Sequence, residues 1–302
     1  HPVSGPVQQV IDSVTYSASG QPLREVLGDD SGTRTDYEYD NRLRLRRLRT
    51  FMTTPPENPY CPTPPGTRCL NPPWAVYLQD NEYSYDRVGN ITQIQDLRTY
   101  EDTWTWAPSP ASQSYRYDAL YRLVENTTTY ITSEPSRPHT QTWAYDFLGN
   151  MVDWRDDQNR FFDRSLGAIE NGITSADPND PPSALIHAEL GADLLNATYN
   201  DAGDMASLTV HRAGDTRVST FEWDVVHRLA RATVGGVVST FSYDASDARR
   251  VKDSFGDTVY YPTDDFEVRN GVATKWIFVG SRRVMRVSDA STWFYVTNHL
   301  GT

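Results

Sequence analysis

The feature that most constrains this chain is a recurring nine-residue pattern, whose clearest copy, YSYDRVGNI, occupies residues 83–91. Tyr83 and Tyr85 are two residues apart, so in a β-strand their side chains lie on the same face. Asp86 and Gly89 are favoured at the two ends of a four-residue type I turn, where Gly supplies a backbone conformation that is unfavourable for other residues. Ile91 then begins a returning strand. The pattern therefore predicts a β-hairpin.

Copies of this hairpin pattern occupy most of the 302-residue chain. The residues that define the copies are Tyr83, Tyr85, Asp86, Gly89, Tyr117, Asp118, Tyr145, Asp146, Gly149, Tyr199, Gly203, Trp223, Asp224, Tyr243 and Asp244. Two weaker copies lie at 14–20 and 37–43, and we expect the turn of the second to be shortened.

Three copies depart from the pattern at the turn. His227 replaces Gly, and His tolerates a positive φ better than most residues do. Ala248 is interpreted as a one-residue insertion after Asp247. Tyr121 also stands at a Gly position, and the sequence offers no reason for it.

The spacing between copies is irregular, with 20 residues between Trp223 and Tyr243 but 54 between Tyr145 and Tyr199. A propeller keeps a constant period, so the irregularity favours a continuous strip of hairpins in which each contacts mainly its neighbours. We predict an all-β fold, a continuous antiparallel hairpin-repeat sheet over 1–302, with insertions at 54–73 and 155–196. The residues 184–190 within the second insertion could form one or two helical turns.

The repeated pattern resembles the YD repeat, also called the RHS repeat. The C-terminal sequence, NHLGT at 298–302, resembles the start of the RHS core motif, which we place at 275–302. Asn298 stands where the family usually has Asp, and Val296 lies near the position of its usual His.

This resemblance implies a sheet that spirals into part of a hollow shell. Bacterial relatives include Rhs polymorphic toxins and the B and C components of insecticidal toxin complexes, and teneurins are animal relatives. In the bacterial proteins the shell encloses a toxic C-terminal segment that an aspartyl self-cleaving region releases. The Asp-Pro-x-Gly motifs of that region do not occur in these residues, so no catalytic residue is transferred and we expect no enzymatic activity.

The resemblance thus suggests a structural shell segment of a secreted toxin, which encapsulates a toxic polypeptide. Its expected partners are the rest of the shell, the enclosed C-terminal toxin segment and a delivery complex, at a secreted or cell-surface location in bacteria. The alternative is a teneurin-like extracellular module that adheres to receptors or binds carbohydrate.

Composition limits the other partners. A net charge of −12 disfavours binding to phosphate backbones, so no nucleic acid is expected. The sequence has no run of eighteen apolar residues and hence no predicted membrane span. Hydrophobic residues make up only 38% while aromatic residues reach 12%, which suits a curved single-layer sheet.

Cys61 and Cys69 flank a Pro-rich loop and could form a disulfide, which would fit an oxidising compartment, or remain two free thiols. No cofactor or metal site is predicted. The six His residues are scattered without metal-site spacing, and the repeat Asp residues occur singly, which favours turn capping over calcium binding.

Two surfaces admit two interpretations. Residues 42–49 alternate Arg and Leu, and form either a basic docking patch or a solvated strand face paired with Asp36, Glu38 and Asp40. The repeated aromatic residues could bind sugars, but a ring at the same place in each copy favours packing against equivalent rings of adjacent hairpins.

Overall fold

A computed structural model describes residues 10–30, 32–53, 76–99, 109–132, 137–158, 160–288 and 291–300. Within these residues the secondary structure is entirely β. The strands are β1 (Ile11–Tyr16), β2 (Pro22–Leu27), β3 (Thr33–Tyr39), β4 (Leu45–Met52), β5 (Val76–Tyr85), β6 (Ile91–Asp96), β7 (Ala111–Tyr117), β8 (Leu123–Tyr130), β9 (His139–Tyr145), β10 (Met151–Asp156), β11 (Gly167–Asn171), β12 (Leu185–Leu190), β13 (Asp193–Tyr199), β14 (Met205–Arg212), β15 (Asp215–Trp223), β16 (Leu229–Val234), β17 (Val237–Tyr243), β18 (Arg249–Ser254), β19 (Asp257–Thr263), β20 (Phe266–Arg269), β21 (Val272–Val279), β22 (Arg282–Ser288) and β23 (Ser291–Phe294).

All 23 strands form one sheet, and each pairs antiparallel with the strand that precedes and the strand that follows it in the chain. The described strands therefore make an uninterrupted meander. This confirms the predicted all-β hairpin sheet.

The repeated hairpins share a β-bulge next to the turn. Tyr85 pairs with Ile91 but Ser84 pairs with Gln93, so one residue of the returning strand is extra. The same register shift precedes Tyr39, Tyr117, Tyr199, Trp223 and Tyr243. A bulge increases local twist and bends the strand that carries it, so repeating it at each hairpin gives the strip a consistent curvature.

The two faces of the sheet differ in chemistry. We call the face that carries the aromatic pairs, such as Tyr83 and Tyr85, the aromatic face. On the opposite face the strands β2 to β5 carry a row of paired charges. Arg24 lies 2.9 Å from Asp36, and Arg47 lies 2.7 Å from Asp80. The opposite face therefore carries paired charges, in which the arginines are partly exposed and the two acids are buried.

These ion pairs decide between the two interpretations of residues 42–49. Arg44 pairs with Asp40 at 2.7 Å and Arg49 with Asp36 at 3.5 Å, as the solvated-face interpretation predicts. Arg47 contributes a third pair, to Asp80 of the following strand instead of to an acid of the preceding one. These pairs favour the solvated-face interpretation over the basic docking patch.

The most buried part of the molecule lies on the aromatic face of β11 to β14. Phe161, Ala188, Leu195 and Ala197 are buried there, and Phe161 belongs to an irregular loop at 160–166 that lies over the sheet. The prediction of helical turns at 184–190 is wrong. Residues 185–190 form β12, because Ala188 is fully buried between Ile169 and Leu195 on the neighbouring strands, and this packing outweighs local helix propensity.

The far end of the strip returns to its beginning. Arg282, at the start of β22, forms an ion pair with the buried Glu25 of β2. Glu25 pairs in register with Thr35, which shares a face with Tyr37. The contact therefore lies on the aromatic face, which is concave because both ends of one sheet meet across it.

Some predictions fall on residues outside the described ranges. The Pro-rich insertion at 54–73, with Cys61 and Cys69, is among them. Within the described ranges, no helix has the length and apolar character needed to cross a membrane.

Candidate functional site: the Asp turns and the aromatic face

Each hairpin turn is organised by the carboxylate that follows the aromatic pair. In the copy at 83–91 the backbone N–H groups of Val88 and Asn90 donate to Asp86 Oδ1 at 3.0 and 2.8 Å, and Asn90 Nδ2 donates to Oδ2 at 2.8 Å. Desolvation raises the pKa of Asp86, but hydrogen bonds from Asn90, Gly89 and Val88 outweigh it and hold that pKa below its usual value. We call this unit the Asp turn.

The Asp turn recurs along the sheet with the same donors, namely the backbone N–H groups two and four residues after the acid. The repeated acceptors are Asp40, Asp118, Asp146, Asn200, Asp224 and Asp244. Protein donors thus occupy the carboxylates, as the turn-capping interpretation requires. The described residues also contain no cluster of three or more potential metal ligands.

The third residue after the Asp has a positive φ in every one of these turns, whatever its type. The residues are Leu43, Gly89, Tyr121, Gly149, Gly203, His227 and Asp247. Tyr121 therefore fills the Gly position at φ +63°, outside the strand pairing and exposed to solvent. The turn, and not the residue type, imposes this conformation.

Two predictions about turn length are wrong for the same reason. The turn after Tyr39 is not shortened, because Leu43 takes the positive-φ position and Tyr39 pairs with Leu45, six residues on. Nor is Ala248 an insertion, because Tyr243 pairs with Arg249 at the same distance along the chain.

The second aromatic residue of each copy ties its hairpin to the preceding one. Tyr85 Oη donates to the carbonyl of Leu45 at 2.7 Å, and Leu45 is the first residue of the previous returning strand. The equivalent bonds join Tyr39 to Pro22, Tyr117 to Ile91, Tyr145 to Leu123, Tyr199 to Leu185, Trp223 to Met205 and Tyr243 to Leu229, at 2.7 to 3.0 Å. These bonds form a ladder of side chains along the aromatic face.

Arginine strengthens three of these joints. Where the fourth residue after the Asp is Arg, its guanidinium lies over the next aromatic ring, as Arg122 does over Tyr145 at 4.8 Å. Arg122 also donates to the backbone carbonyl of Asp146 at 2.9 Å. Arg44 and Arg228 repeat this arrangement.

These joints differ from the ring-on-ring packing that the repeat suggested. At the three arginine joints the contacts of the second aromatic ring are a guanidinium and a backbone carbonyl of the neighbouring hairpin. At these joints a guanidinium covers one face of the ring, and the hydroxyl is bound to a backbone carbonyl. The sequence feature that indicates these joints is an Arg four residues after Asp40, Asp118 and Asp224.

We expect Tyr145→Phe to lower the free energy of unfolding by about 0.5–1.5 kcal/mol, because it removes one hydrogen bond to a partly buried carbonyl. Tyr16→Phe is the matched control, since Tyr16 is 61% exposed and its hydroxyl has no hydrogen-bond partner in the described chain. The measurement is the denaturant midpoint followed by tryptophan fluorescence. Equal midpoints for the two variants would show that this hydrogen bond of the ladder does not stabilise the fold.

The segment Tyr295–Leu300 lies on the aromatic face of β2 to β7. Gln79 Nε2 donates to the carbonyl of Thr297 at 2.9 Å, and the His299 ring meets Tyr83 edge-on with 5.1 Å between centroids. Burial lowers the pKa of His299 and raises the pKa of Tyr83 to about 12. The start of the core motif is thus seated on the first hairpins.

Two open grooves flank this segment. One, of about 390 Å³, is lined by β5, β6 and β7, including Asn81, Ile94 and Gln113. The other, of about 510 Å³, is lined by the first hairpins, including Tyr37 and Tyr39. The aromatic face therefore has room for further chain beside the segment already seated on it.

The fold and the repeated Asp turns define a continuous antiparallel sheet of hairpin repeats. No protein-family model matches the chain. The chain matches the crystal structure of TcdB2–TccC3–Cdc42 with a TM-score of 0.52 and 19% identity, over 97% of this chain and 15% of that one. This likeness establishes the fold.

Two curated relatives come from Yersinia entomophaga. The toxin subunit YenC2 is 29% identical over 167 residues, covering 49% of this chain and 16% of the relative. The toxin subunit YenC1 is 27% identical over 269 residues, covering 81% of this chain and 24% of the relative. The chain is homologous to these toxin subunits and spans less than a quarter of the length of either one.

Proposed function

We propose that this chain is part of the wall of a toxin shell, with its aromatic face turned toward an enclosed polypeptide. The observation that carries the proposal is the uninterrupted 23-strand meander whose two ends meet across the aromatic face. In such a wall nearly all strands are paired on both sides, which leaves few edges through which another chain could add or pass. The role is that of a barrier, without a catalytic residue.

The placement of irregular chain supports this orientation. The ion pairs of Arg24, Arg47 and Arg49 lie on the opposite face, where the arginine side chains are partly exposed. The aromatic face instead receives two irregular segments of the chain, 160–166 and 295–300. A wall that already holds irregular polypeptide on one of its faces fits a container.

The partners follow from the same proposal. The homologous subunits are several times longer than this chain, so other wall segments would complete the enclosure, and the enclosed partner would be a toxic polypeptide. The container would act in a secreted or cell-surface toxin complex.

Adjacent threonines on β8 provide a test. Thr128 pairs with Gln113 and lies on the aromatic face, whereas Thr127 pairs with Ser114 and lies on the opposite face. In the native polypeptide that contains these residues, with Cys61 and Cys69 changed to Ser, we expect Thr127→Cys to react with a polymer-linked maleimide and Thr128→Cys to be protected. In the isolated 302-residue chain both should react.

Equal labelling of the two positions in the native polypeptide would contradict an inward aromatic face. Binding of glycans to the intact protein, lost on mutation of exposed aromatic residues, would instead support an adhesion module. Neither the maleimide labelling nor the glycan binding depends on whether the enclosed chain is bound to the wall.

A further inference from the structure

A row of uncharged amides lies on the aromatic face between the two seated segments. Gln79 and Asn81 of β5, Gln113 of β7, Asn126 of β8 and Gln141 of β9 share this face. The register places them there, because Tyr83 and Gln113 both pair with Ile94, Tyr115 pairs with Asn126, and Asn126 pairs with Gln141. The amides therefore lie on four of the five adjacent strands β5 to β9, and Ile94 of β6 lies between those of β5 and β7.

The two ends of the row already bind main chain. Gln79 Nε2 donates to the carbonyl of Thr297 at 2.9 Å, and Gln141 Nε2 donates to the carbonyl of Arg164 at 3.1 Å. Both acceptors belong to irregular segments, and the first is 218 residues away in sequence. In both contacts the sheet recognises a backbone carbonyl, which every residue has.

The middle of the row borders an open groove. Asn81 and Gln113 line the cavity of about 390 Å³. Gln113 Oε1 accepts the hydroxyl of Tyr115, while its amide nitrogen has no partner among the described residues. The charged groups that also line the groove, Asp96 and Arg98, are paired with each other at 2.7 Å and buried.

We propose that this amide row is a binding surface for extended polypeptide, which it holds through the main chain without selecting the side chains. The inference rests on the proposed function, since the occupant would be a segment of the enclosed polypeptide. The observation that supports this inference is the position of the groove. It lies between two irregular segments, and the aromatic face binds each of them through a glutamine amide that donates to a backbone carbonyl. Single neutral hydrogen bonds are weak in water, so the surface retains a chain and still releases it.

The test uses the purified 302-residue chain and fluorescein-labelled ten-residue peptides with acetylated and amidated ends. Two peptides have unrelated uncharged sequences, and a third replaces alternate amides of the first by esters, which removes N–H donors and weakens the carbonyl acceptors. We expect fluorescence anisotropy to show weak binding of the two peptides, similar within about threefold, and weaker binding of the ester. Affinities near 1 mM correspond to only about 4 kcal/mol, which suits a releasable occupant.

Gln113→Met keeps the length of the side chain and removes its amide, and should weaken peptide binding at least about threefold, the loss that one net hydrogen bond represents. Gln93→Met is the matched control on the neighbouring strand β6, because Gln93 pairs with Ser84 and lies on the opposite face. Thermal unfolding must show the same midpoint for both variants.

Three outcomes would overturn the inference. They are no peptide binding up to several millimolar, equal binding of the ester, and equal loss in the two variants. Binding of an oligosaccharide such as maltohexaose in place of the peptides would also reject it. Maleimide labelling of Thr127→Cys and Thr128→Cys in the native polypeptide does not depend on the affinity for peptides. A negative result in the peptide experiment therefore leaves the proposed wall to be tested separately.

Discussion

Phe161→Ala should lower the free energy of unfolding by about 3–5 kcal/mol, the usual cost of deleting a buried aromatic side chain. Phe161 is 1% exposed and packs with Ala188, Leu195 and Ala197 on the aromatic face. It is the side chain by which the 160–166 loop is anchored to the sheet. Its removal leaves a cavity that the rigidly paired strands beneath cannot close.

Phe162→Ala is the control, since the adjacent residue is 46% exposed and contributes little to the buried cluster. We expect a change within about 1 kcal/mol. The measurement is denaturant unfolding followed by circular dichroism, with hydrogen exchange of β11 to β14 as a local readout. If Phe161→Ala matched Phe162→Ala, the loop would contribute no stability to this part of the wall.

The hairpin was predictable because its determinants are local. The aromatic pair, the Asp and the returning aliphatic residue lie within nine positions, and each acts through strand alternation or turn geometry. The turn after Tyr243 shows where the rule had been drawn too narrowly. The turn requires a positive φ at a given position, and Asp247 meets that requirement as Gly89 does.

The contacts between hairpins were less accessible from the sequence. The bond from Tyr145 to Leu123 depends on which strand lies beside which, and the pattern alone does not state this. Likewise β12 reads as helix or strand locally, and only the neighbours of Ala188 decide between them. Contacts that span the chain, such as Gln79 with Thr297, depend on the accumulated curvature of many bulges.

The amide row illustrates the same limit. Gln, Asn and Thr in strands read as ordinary solvent-facing residues, and the sequence gives no sign that Gln79 and Gln141 hold irregular chain. Register assigns them to the aromatic face, and the returning segments identify what that face binds. The role of a polar residue in this sheet therefore depends on the face on which it lies, and a sequence motif alone does not indicate it.

The second large effect concerns the point at which the 160–166 loop re-enters the sheet. Gly167 has φ +67°, and a Cβ built there would lie 2.0 Å from the carbonyl oxygen of Glu189. Since Glu189 pairs with Ala168 in the adjacent strand, that oxygen cannot move without disturbing the β11–β12 register. Gly167→Ala combines an unfavourable left-handed backbone with a backbone clash.

Gly191 separates these two costs. Its φ is +66°, almost the same as that of Gly167, but a Cβ built there meets nothing within 4 Å. We expect Gly191→Ala to cost about 1–2 kcal/mol for the left-handed conformation alone. Gly167→Ala should cost a further 1–3 kcal/mol or so for the overlap. Denaturant unfolding measures the difference, and hydrogen exchange should show early opening of β11 and β12 in Gly167→Ala only. Equal destabilisation by the two substitutions would mean that the loop can re-enter the sheet by another path, and that the close approach at Gly167 does not hold this part of the wall together.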